Sequence, residues 1–395
     1  TGALRSNTNR SNLVAIGDSA LYHNGNNLFN GPNPLPTGRF NTAVGSKAMF
    51  SNTSGHDNTS IGYRTLHAAT GGAGNTAVGS QALVSSTTGS SNVAIGSYAL
   101  YRNTERSNIV AIGDSALYNN GLGALYYPVD GGAEGFSNTA VGSKALLANT
   151  IGSSNTAVGF HALDHNVFGD GCTAIGNNSL SNNNGGDYNT GVGSGALSAN
   201  TFGSYNTALG YGAGPNGATR TNSTALGNQA ISTASNQVRL GNSSVSNISG
   251  AVTFTAASDA RFKRNVQENV PGLELILALR PVTYNFDAHK MAAFLHEDVG
   301  VDAKGNRVQK QATPEMLAAR DQKGTILYSG FLAQEVEQAA QQVGYDFSAV
   351  AKPEDESGMY GLAYSEFVVP LVKAVQEQQA LIEKLEARIR QLEMR

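Results

Sequence analysis

The sequence predicts a mostly β N-terminal region, a parallel β-roll or solenoid of 17-residue coils, followed by a smaller α+β region that ends in a coiled-coil helix. Three observations predict this: a short repeat ending near Gly241, an abrupt rise in charge after Ala257, and a C-terminal heptad of apolar residues. The 395 residues are typical of two or three domains. We assign 1–241 to the repeats, 242–257 to a connecting neck, and 258–395 to the C-terminal region.

A five-residue motif, Asn-Thr-Ala-Val-Gly or a close relative, recurs through the first region. Nine of the twelve intervals between its glycines are 17 residues, and a fixed short period is typical of stacked coils. Two intervals are longer by 11 or 12 residues, which predicts loop insertions at 23–38 and 119–135. The motif glycines are Gly17, Gly45, Gly62, Gly79, Gly96, Gly113, Gly142, Gly159, Gly176, Gly193, Gly210, Gly227 and Gly241.

Equivalent positions of the coils carry the same residue types. Leucine usually stands four places after the glycine, as in Leu21, and asparagine four places before it, as in Asn41. We expect the leucine and aliphatic columns to form a continuous interior, with two short strands per coil. The asparagines should form an amide ladder, and Cys172, in their column, a buried thiol. The aliphatic residues preceding the glycine are Ile16, Val44, Ile61, Val78, Ile95, Ile112, Val141 and Val158.

The repeat pattern Asn-x-Ala-(Val/Ile)-Gly-x-x-Ala-Leu is similar to the head repeats of trimeric autotransporter adhesins, from Ser11 to about Gly241. This resemblance implies parallel β-rolls side by side in a homotrimer. Thirteen coils about 4.8 Å apart would form a rod roughly 60 Å long. Because a thin, charge-poor rod buries little surface by itself, association along its length is expected.

Charge and composition exclude several function classes. Residues 1–257 contain 10 basic and 9 acidic residues, whereas 258–395 contain 16 and 20. The net charge of −3 does not favour nucleic-acid or anionic-membrane partners, and the apolar-rich stretch Leu273–Leu279, which Glu274 interrupts, is too short to span a bilayer. A single cysteine excludes a disulfide framework. No cofactor or metal is predicted, since His161 and His165 lack a third ligand nearby.

Four motifs follow one another after Ala257: Ser258-Asp259-Ala260-Arg261-Phe262-Lys263-Arg264-Asn265, Leu279-Arg280-Pro281-Val282-Thr283-Tyr284-Asn285-Phe286, Gly330-Phe331-Leu332-Ala333-Gln334-Glu335-Val336 and Tyr364-Ser365-Glu366-Phe367-Val368-Val369-Pro370. In this order they resemble the intramolecular chaperone domain of phage tail spikes and fibres, classed as peptidase family S74. The resemblance covers Ser258–Arg395 and implies a trimerisation chaperone that releases itself by autoproteolysis. It also implies that Ser258 is the nucleophile, Lys263 its dyad partner, and Ser258–Asp259 the scissile bond.

The residue types at this site suit a serine–lysine dyad. A serine hydroxyl needs a base, and a lysine amine serves only when burial or cationic neighbours favour its neutral form. Arg261 and Arg264 flank Lys263 and are candidates for that role. Five extended residues span up to about 17 Å, so Ser258 meets its own Lys263 only across a folded turn. The alternative is a lysine from a neighbouring chain.

The last helix carries an apolar heptad over 368–392. The pattern alone leans toward a dimer by parallel coiled-coil rules, whereas the family resemblance implies a trimer. Its positions, at alternating steps of three and four, are Val368, Leu371, Val375, Gln378, Ile382, Leu385, Ile389 and Leu392.

The leading interpretation is a homotrimeric fibre or spike tip, from a phage tail or similar device, that attaches to a glycan or surface-protein receptor. We expect it in a virion tail fibre or an extracellular appendage, with self-cleavage as its only enzymatic activity. Phe29, Phe40, Tyr126 and Tyr127, in or beside the insertions, are candidate receptor contacts.

Two other function classes remain. A bacterial surface or secreted trimeric adhesin could use the same chaperone. A β-helical polysaccharide-degrading enzyme ranks lower, because glycosidases need a carboxylate pair and only nine acidic residues precede Ser258.

Overall fold

The computed structural model describes residues 2–7, 11–25, 38–122, 135–251, 255–301 and 307–394. Most of both predicted insertions, with Phe29, Tyr126 and Tyr127, lies outside the described residues. The chain divides into two compact units. One comprises Thr1–Asn242 and Leu295–Gln311, and the other comprises Ser243–Phe294 and Ala312–Arg395.

The first unit is a parallel β-solenoid of about 17-residue coils, as the repeat predicts. Thirteen of its strands form one parallel sheet in coil order, and each strand pairs with the same three positions of the next coil. β12 and β14 form a separate parallel pair. The strands are β1 Val14–Ile16, β2 Thr42–Val44, β3 Thr59–Ile61, β4 Thr76–Val78, β5 Val93–Ile95, β6 Val110–Ile112, β7 Thr139–Val141, β8 Thr156–Val158, β9 Thr173–Ile175, β10 Thr190–Val192, β11 Thr207–Leu209, β12 Gly214–Pro215, β13 Thr224–Leu226, β14 Ile231–Ser232 and β15 Val238–Leu240.

The interior of the solenoid is narrow and is filled by alanine and leucine. The leucine column is buried as predicted, with Leu21 and Leu100 fully inaccessible, and the middle residue of most strands is a buried alanine such as Ala77. The prediction that the aliphatic residues before the glycine lie inside is wrong. Alternate strand residues point to opposite faces, so burying the middle alanine turns its neighbours outward. The residues that this corrects are Ile16, Val44, Ile61, Val78, Ile95, Ile112, Val141 and Val158, which are half-buried or exposed.

The prediction of two strands per coil is also wrong for the regular coils, which contain one. The leucine segment has a left-handed backbone, with φ of +50° at Leu21 and +50° at Leu83, so it cannot extend into a strand. Its backbone still bonds to adjacent coils, as when the Leu21 N–H donates to the Ala48 carbonyl at 3.0 Å. Stacking against identical coils therefore stabilises a conformation that leucine rarely adopts.

Two ladders of buried asparagine side chains run along the solenoid. In the predicted ladder, the Asn58 side-chain oxygen accepts two hydrogen bonds from Asn75, one from its backbone N–H at 2.9 Å and one from its side-chain Nδ2 at 3.0 Å. The second ladder, seven places after the glycine, was not predicted; there Asn166 Nδ2 donates to Asn149 Oδ1 at 3.1 Å. Each ladder satisfies buried backbone groups, so it fixes the corners of the coils.

The corner glycines allow adjacent coils to approach closely. Gly79 has φ of +125°, and a Cβ built there would lie 2.6 Å from the carbonyl carbon of Gly96 in the next coil. Only glycine fits such a position, so its recurrence reflects coil stacking. The same unit also contains an antiparallel hairpin of β17 (Val299–Val301) and β18 (Arg307–Gln309).

The second unit is a small α+β structure. In its core, Leu275 of helix α1 (Leu273–Ala278) and Val336 of helix α4 (Ala333–Gln342) cluster with Phe367, which directly precedes helix α5 (Val368–Glu393). Strands β16 and β19 pair antiparallel, as do the short strands β20 and β21. The remaining elements of the chain are α1 Leu273–Ala278, β16 Val282–Asn285, α2 Ala288–Phe294, β17 Val299–Val301, β18 Arg307–Gln309, α3 Pro314–Thr325, β19 Leu327–Gly330, α4 Ala333–Gln342, β20 Val350–Ala351, β21 Gly361–Leu362, a 3₁₀ turn Tyr364–Phe367 and α5 Val368–Glu393.

Candidate active site

A short turn organises the segment that starts at Ser258. Residues Ala260–Phe262 form a single 3₁₀ turn, and Asp259 caps it by accepting the Arg261 backbone N–H at 2.9 Å. The Lys263 N–H closes the turn on the Ala260 carbonyl at 3.1 Å. Aspartate is a favoured cap because its carboxylate accepts backbone donors that have no other partner at a helix start.

This turn brings the two predicted dyad residues together within one chain. Lys263 Nζ donates to Ser258 Oγ at 2.8 Å, although the two residues are five positions apart. The distance is within the range expected between a nucleophile and its base. The sequence indicated that this contact needs a folded turn, and the 3₁₀ turn supplies it. A serine hydroxyl and a lysine amine can in this arrangement exchange a proton directly.

Asp259 and Arg261 form an ion pair beside the dyad. The Arg261 Nη2 donates to Asp259 Oδ2 at 2.6 Å, and its Nε contacts both carboxylate oxygens. The Arg261 side chain and backbone N–H lower the pKa of Asp259, and the carboxylate raises that of Arg261. Because this guanidinium is engaged with a carboxylate, its positive charge is largely neutralised beside the dyad.

Solvent surrounds the dyad in the single chain. Every residue from 255 to 269 is exposed, including Phe262 and Val266, each at 80%. An ammonium can donate to the serine hydroxyl but cannot take its proton. The dyad geometry is therefore present in the single chain, whereas none of the described residues buries the two side chains.

The other three sequence motifs meet one another in space. Arg280, before β16, forms a bidentate ion pair with Glu335 of α4, with Nε to Oε2 at 3.0 Å. The Tyr364 hydroxyl accepts the Phe331 N–H at 3.0 Å, and the Phe331 ring stacks on Phe367 at 5.3 Å. These contacts join motifs that are far apart in sequence, so their joint occurrence reflects one packed structure.

Two histidines noted in the sequence contact one carboxylate. Nδ1 of His161 and Nδ1 of His165 both lie within hydrogen-bond distance of Asp164, which is 4% exposed. Among the described residues, no group of three or more His, Cys, Asp or Glu side chains is arranged to hold a metal ion. All three residues lie in one short turn segment of a single coil.

Cys172 is fully buried in the asparagine column, as expected. Its thiol lies 3.2 Å from the Gly186 carbonyl oxygen. In their own coils, Asn155 and Asn189 donate from Nδ2 to the equivalent glycine carbonyl. Burial raises the pKa of this thiol to about 11, which opposes the nucleophilic thiolate. The cysteine is therefore a structural residue.

None of the described helices is long and apolar enough to cross a membrane. Residues 258–345 match the family model described as Peptidase_S74, chaperone of endosialidase. The match covers 88 of the 395 residues and begins at Ser258, so the chain carries this domain after the β-solenoid. No curated protein and no solved structure matches the chain.

Proposed function

We propose that the protein is a homotrimeric fibre or spike tip, in a virion tail or a similar extracellular appendage, that attaches to a cell surface. Its C-terminal region assembles the trimer and is then released by cleavage beside Ser258. The observation that carries the proposal is the Peptidase_S74 match, which lies C-terminal to a β-solenoid in the same chain. Chaperone-of-endosialidase domains act in trimer assembly.

The C-terminal helix supports self-association. Its heptad residues are exposed in the single chain, with Val375 and Leu385 each at 62%, and of its described residues only Pro370 and Ala374 are buried. An apolar seam of this kind is stable when helices of other copies cover it. We assign this seam to a helical bundle of three copies.

A cluster of exposed aromatic residues supports attachment. Phe168, Tyr188, Phe202 and Tyr205 are 53–61% exposed, and the two tyrosine rings stack at 5.5 Å. Aromatic side chains are enriched in protein interfaces because they bury a large area, and tyrosine adds a hydroxyl for hydrogen bonding. This cluster is the part of the described solenoid that we assign to a glycan or surface-protein receptor.

The proposed cleavage follows ordinary serine chemistry. The Lys263 amine takes the Ser258 hydroxyl proton while Oγ attacks a peptide carbonyl, and an ester forms. The departing amide nitrogen takes that proton from the lysine, and water then hydrolyses the ester. Burial of the dyad by other copies would favour the amine form of Lys263, which couples cleavage to assembly.

The identity of the broken bond distinguishes two routes. If Ser258 Oγ attacked the carbonyl of its own residue, a strained four-membered ring would form. Cleavage at Ser258–Asp259 therefore fits attack by the Ser258 hydroxyl of another copy. Attack within one chain instead fits the Ala257 carbonyl, which closes a five-membered ring and breaks the Ala257–Ser258 bond. The fragment masses separate these routes, because Ser258 remains on a different fragment in each.

Intact mass spectrometry of the full chain tests the cleavage. We expect two fragments from the native sequence and from the control Lys290→Ala, which changes an exposed lysine in α2, and a single species from Ser258→Ala and Lys263→Ala. Co-folding these two inactive variants shows whether the dyad forms within one chain or between chains. If both residues come from one chain, the mixture stays uncut, whereas a lysine from a neighbouring chain restores cleavage. Fragments from Ser258→Ala would contradict the assignment of the nucleophile.

A further inference from the structure

The outer face of the thirteen-stranded sheet is an apolar surface. Each strand turns its middle residue inward and its first and third residues outward. The first are threonine or valine and the third are valine, isoleucine or leucine, so the outward residues form two parallel columns. The most exposed third residues are Ile16 at 60%, Leu209 at 53%, Ile175 at 42%, Ile61 at 41%, Leu240 at 39%, Ile95 at 38%, Val158 at 36% and Leu226 at 36%.

Charge is almost absent from this face. The thirteen strands of three residues contain 39 residues, and the only charged one is Arg239 in the last strand. Charged residues of the same coils lie elsewhere, as Lys47, Arg64 and Lys144 do, two places after their corner glycines. Depletion of charge is a mark of a buried interface core, and an ordinary solvated sheet face would carry charges.

A parallel sheet is normally covered on both faces. Here the inner face packs against the alanine and leucine interior, whereas the outer aliphatic column remains exposed in the single chain. Its regular register, with isoleucine or valine at the same position in coil after coil, provides a continuous flat stripe. Such a stripe suits another sheet of the same register.

We infer that this outer sheet face is the surface through which copies of the chain pack against one another in the solenoid region, a step that rests on the proposed homotrimer. Twelve intervals of about 4.8 Å and three residues of about 3.3 Å give a face of roughly 58 by 10 Å. Three such faces that converge on one threefold axis bury roughly 1,700 Å² in all, which is within the range of stable protein interfaces. The neutral, aliphatic chemistry excludes a charged partner and suits a second copy.

Rotational symmetry adds a specific consequence. Around a threefold axis parallel to the coil stack, the same residue of each copy lies at the same height, so each aliphatic residue faces its own counterpart. Residues on another side of the coil do not. A cysteine in the outer column should therefore form a disulfide with the cysteine at the same position in a neighbouring copy.

Leu209→Cys tests this, with Phe202→Cys as the matched control. The two residues belong to one coil and are 53% and 57% exposed, and the native Cys172 is buried. Each full-length variant is oxidised, its covalent state is read on a non-reducing denaturing gel, and its mass in solution is read by light scattering. Ile175→Cys repeats the test in a second coil.

We expect trimers from all three variants, with disulfide-linked pairs from Leu209→Cys and Ile175→Cys and unlinked chains from Phe202→Cys. Trimers in which the outer-column cysteines stay unlinked, or in which Phe202→Cys links as efficiently, would overturn this interface and leave the homotrimer standing. A monomeric mass in solution for every variant and for the native chain would overturn both this interface and the proposed homotrimer.

Discussion

Removal of one amide from the first asparagine ladder gives a quantitative test of the solenoid. Asn75 is 1% exposed; its Nδ2 donates to the Gly89 carbonyl at 2.8 Å and its Oδ1 accepts the Asn92 N–H at 3.0 Å. Asn75→Ala leaves both of these backbone groups buried without a partner. At about 1–3 kcal/mol for each such group, we expect a destabilisation of about 3 kcal/mol, which is roughly a 100-fold change in the local opening equilibrium.

Hydrogen exchange followed by mass spectrometry measures this effect in the coil itself. The peptide that contains Asn92 should exchange roughly 100-fold faster in Asn75→Ala than in the native chain. The control is Asn177→Ala, which removes an exposed amide whose side-chain oxygen accepts from Asn178. Equal protection of the Asn92 peptide in Asn75→Ala and the native chain would refute the role assigned to the ladder.

Three further predictions concern other features. Gly79→Ala places a Cβ against the backbone of Gly96 at a positive φ and should destabilise the solenoid by about 2–5 kcal/mol, whereas Gly71→Ala, where φ is not positive and a Cβ would meet only the side chains of Ser54 and Thr88, should melt near the native temperature. The folded state holds the Cys172 proton more tightly than the ordinary pKa of 9.0, so the unfolding free energy should fall as pH rises from 9.0 to about 11; Cys172→Ser should lose this slope, and a slope kept in that variant would contradict the cause. Cutting the Arg280–Glu335 pair by Arg280→Ala should reduce the yield of assembled trimer in size-exclusion chromatography, and an unchanged yield would show that this contact is dispensable.

The repeat was readable from the sequence because stacking places equivalent residues in contact. The period, the buried leucines, the corner glycines and the ladder through Asn58 and Asn75 all follow from one column pattern. The second ladder was missed because Ala69 and Ser86 interrupt its column. A column that is only partly asparagine is harder to recognise in a sequence that is rich in this residue.

Two features of the coil could not be deduced from residue types. Hydrophobicity placed Ile61 inside, but the narrow interior accommodates only the small middle residue of the strand, Ser60 in this coil, and strand alternation turns Ile61 outward. The positive φ of Leu83 is opposed by the intrinsic preference of leucine, and only contacts between coils stabilise it.

The candidate dyad depended on resemblance to a family. Ser258 and Lys263 are a common pair at a common spacing, and neither residue type specifies the turn that brings them together. That turn depends on the cap by Asp259 and on local backbone bonds, which a repeat or periodicity does not reveal. The four motifs carried the information because they mark one packed unit.

The central claim is that the chain assembles as three copies and then releases its C-terminal region. Native mass spectrometry of the native chain beside Ser258→Ala tests it most directly. We predict a trimer of full-length chains from Ser258→Ala, and from the native chain a trimer of the N-terminal fragment that has lost residues after the cut. Single, uncut copies from both samples would contradict the claim.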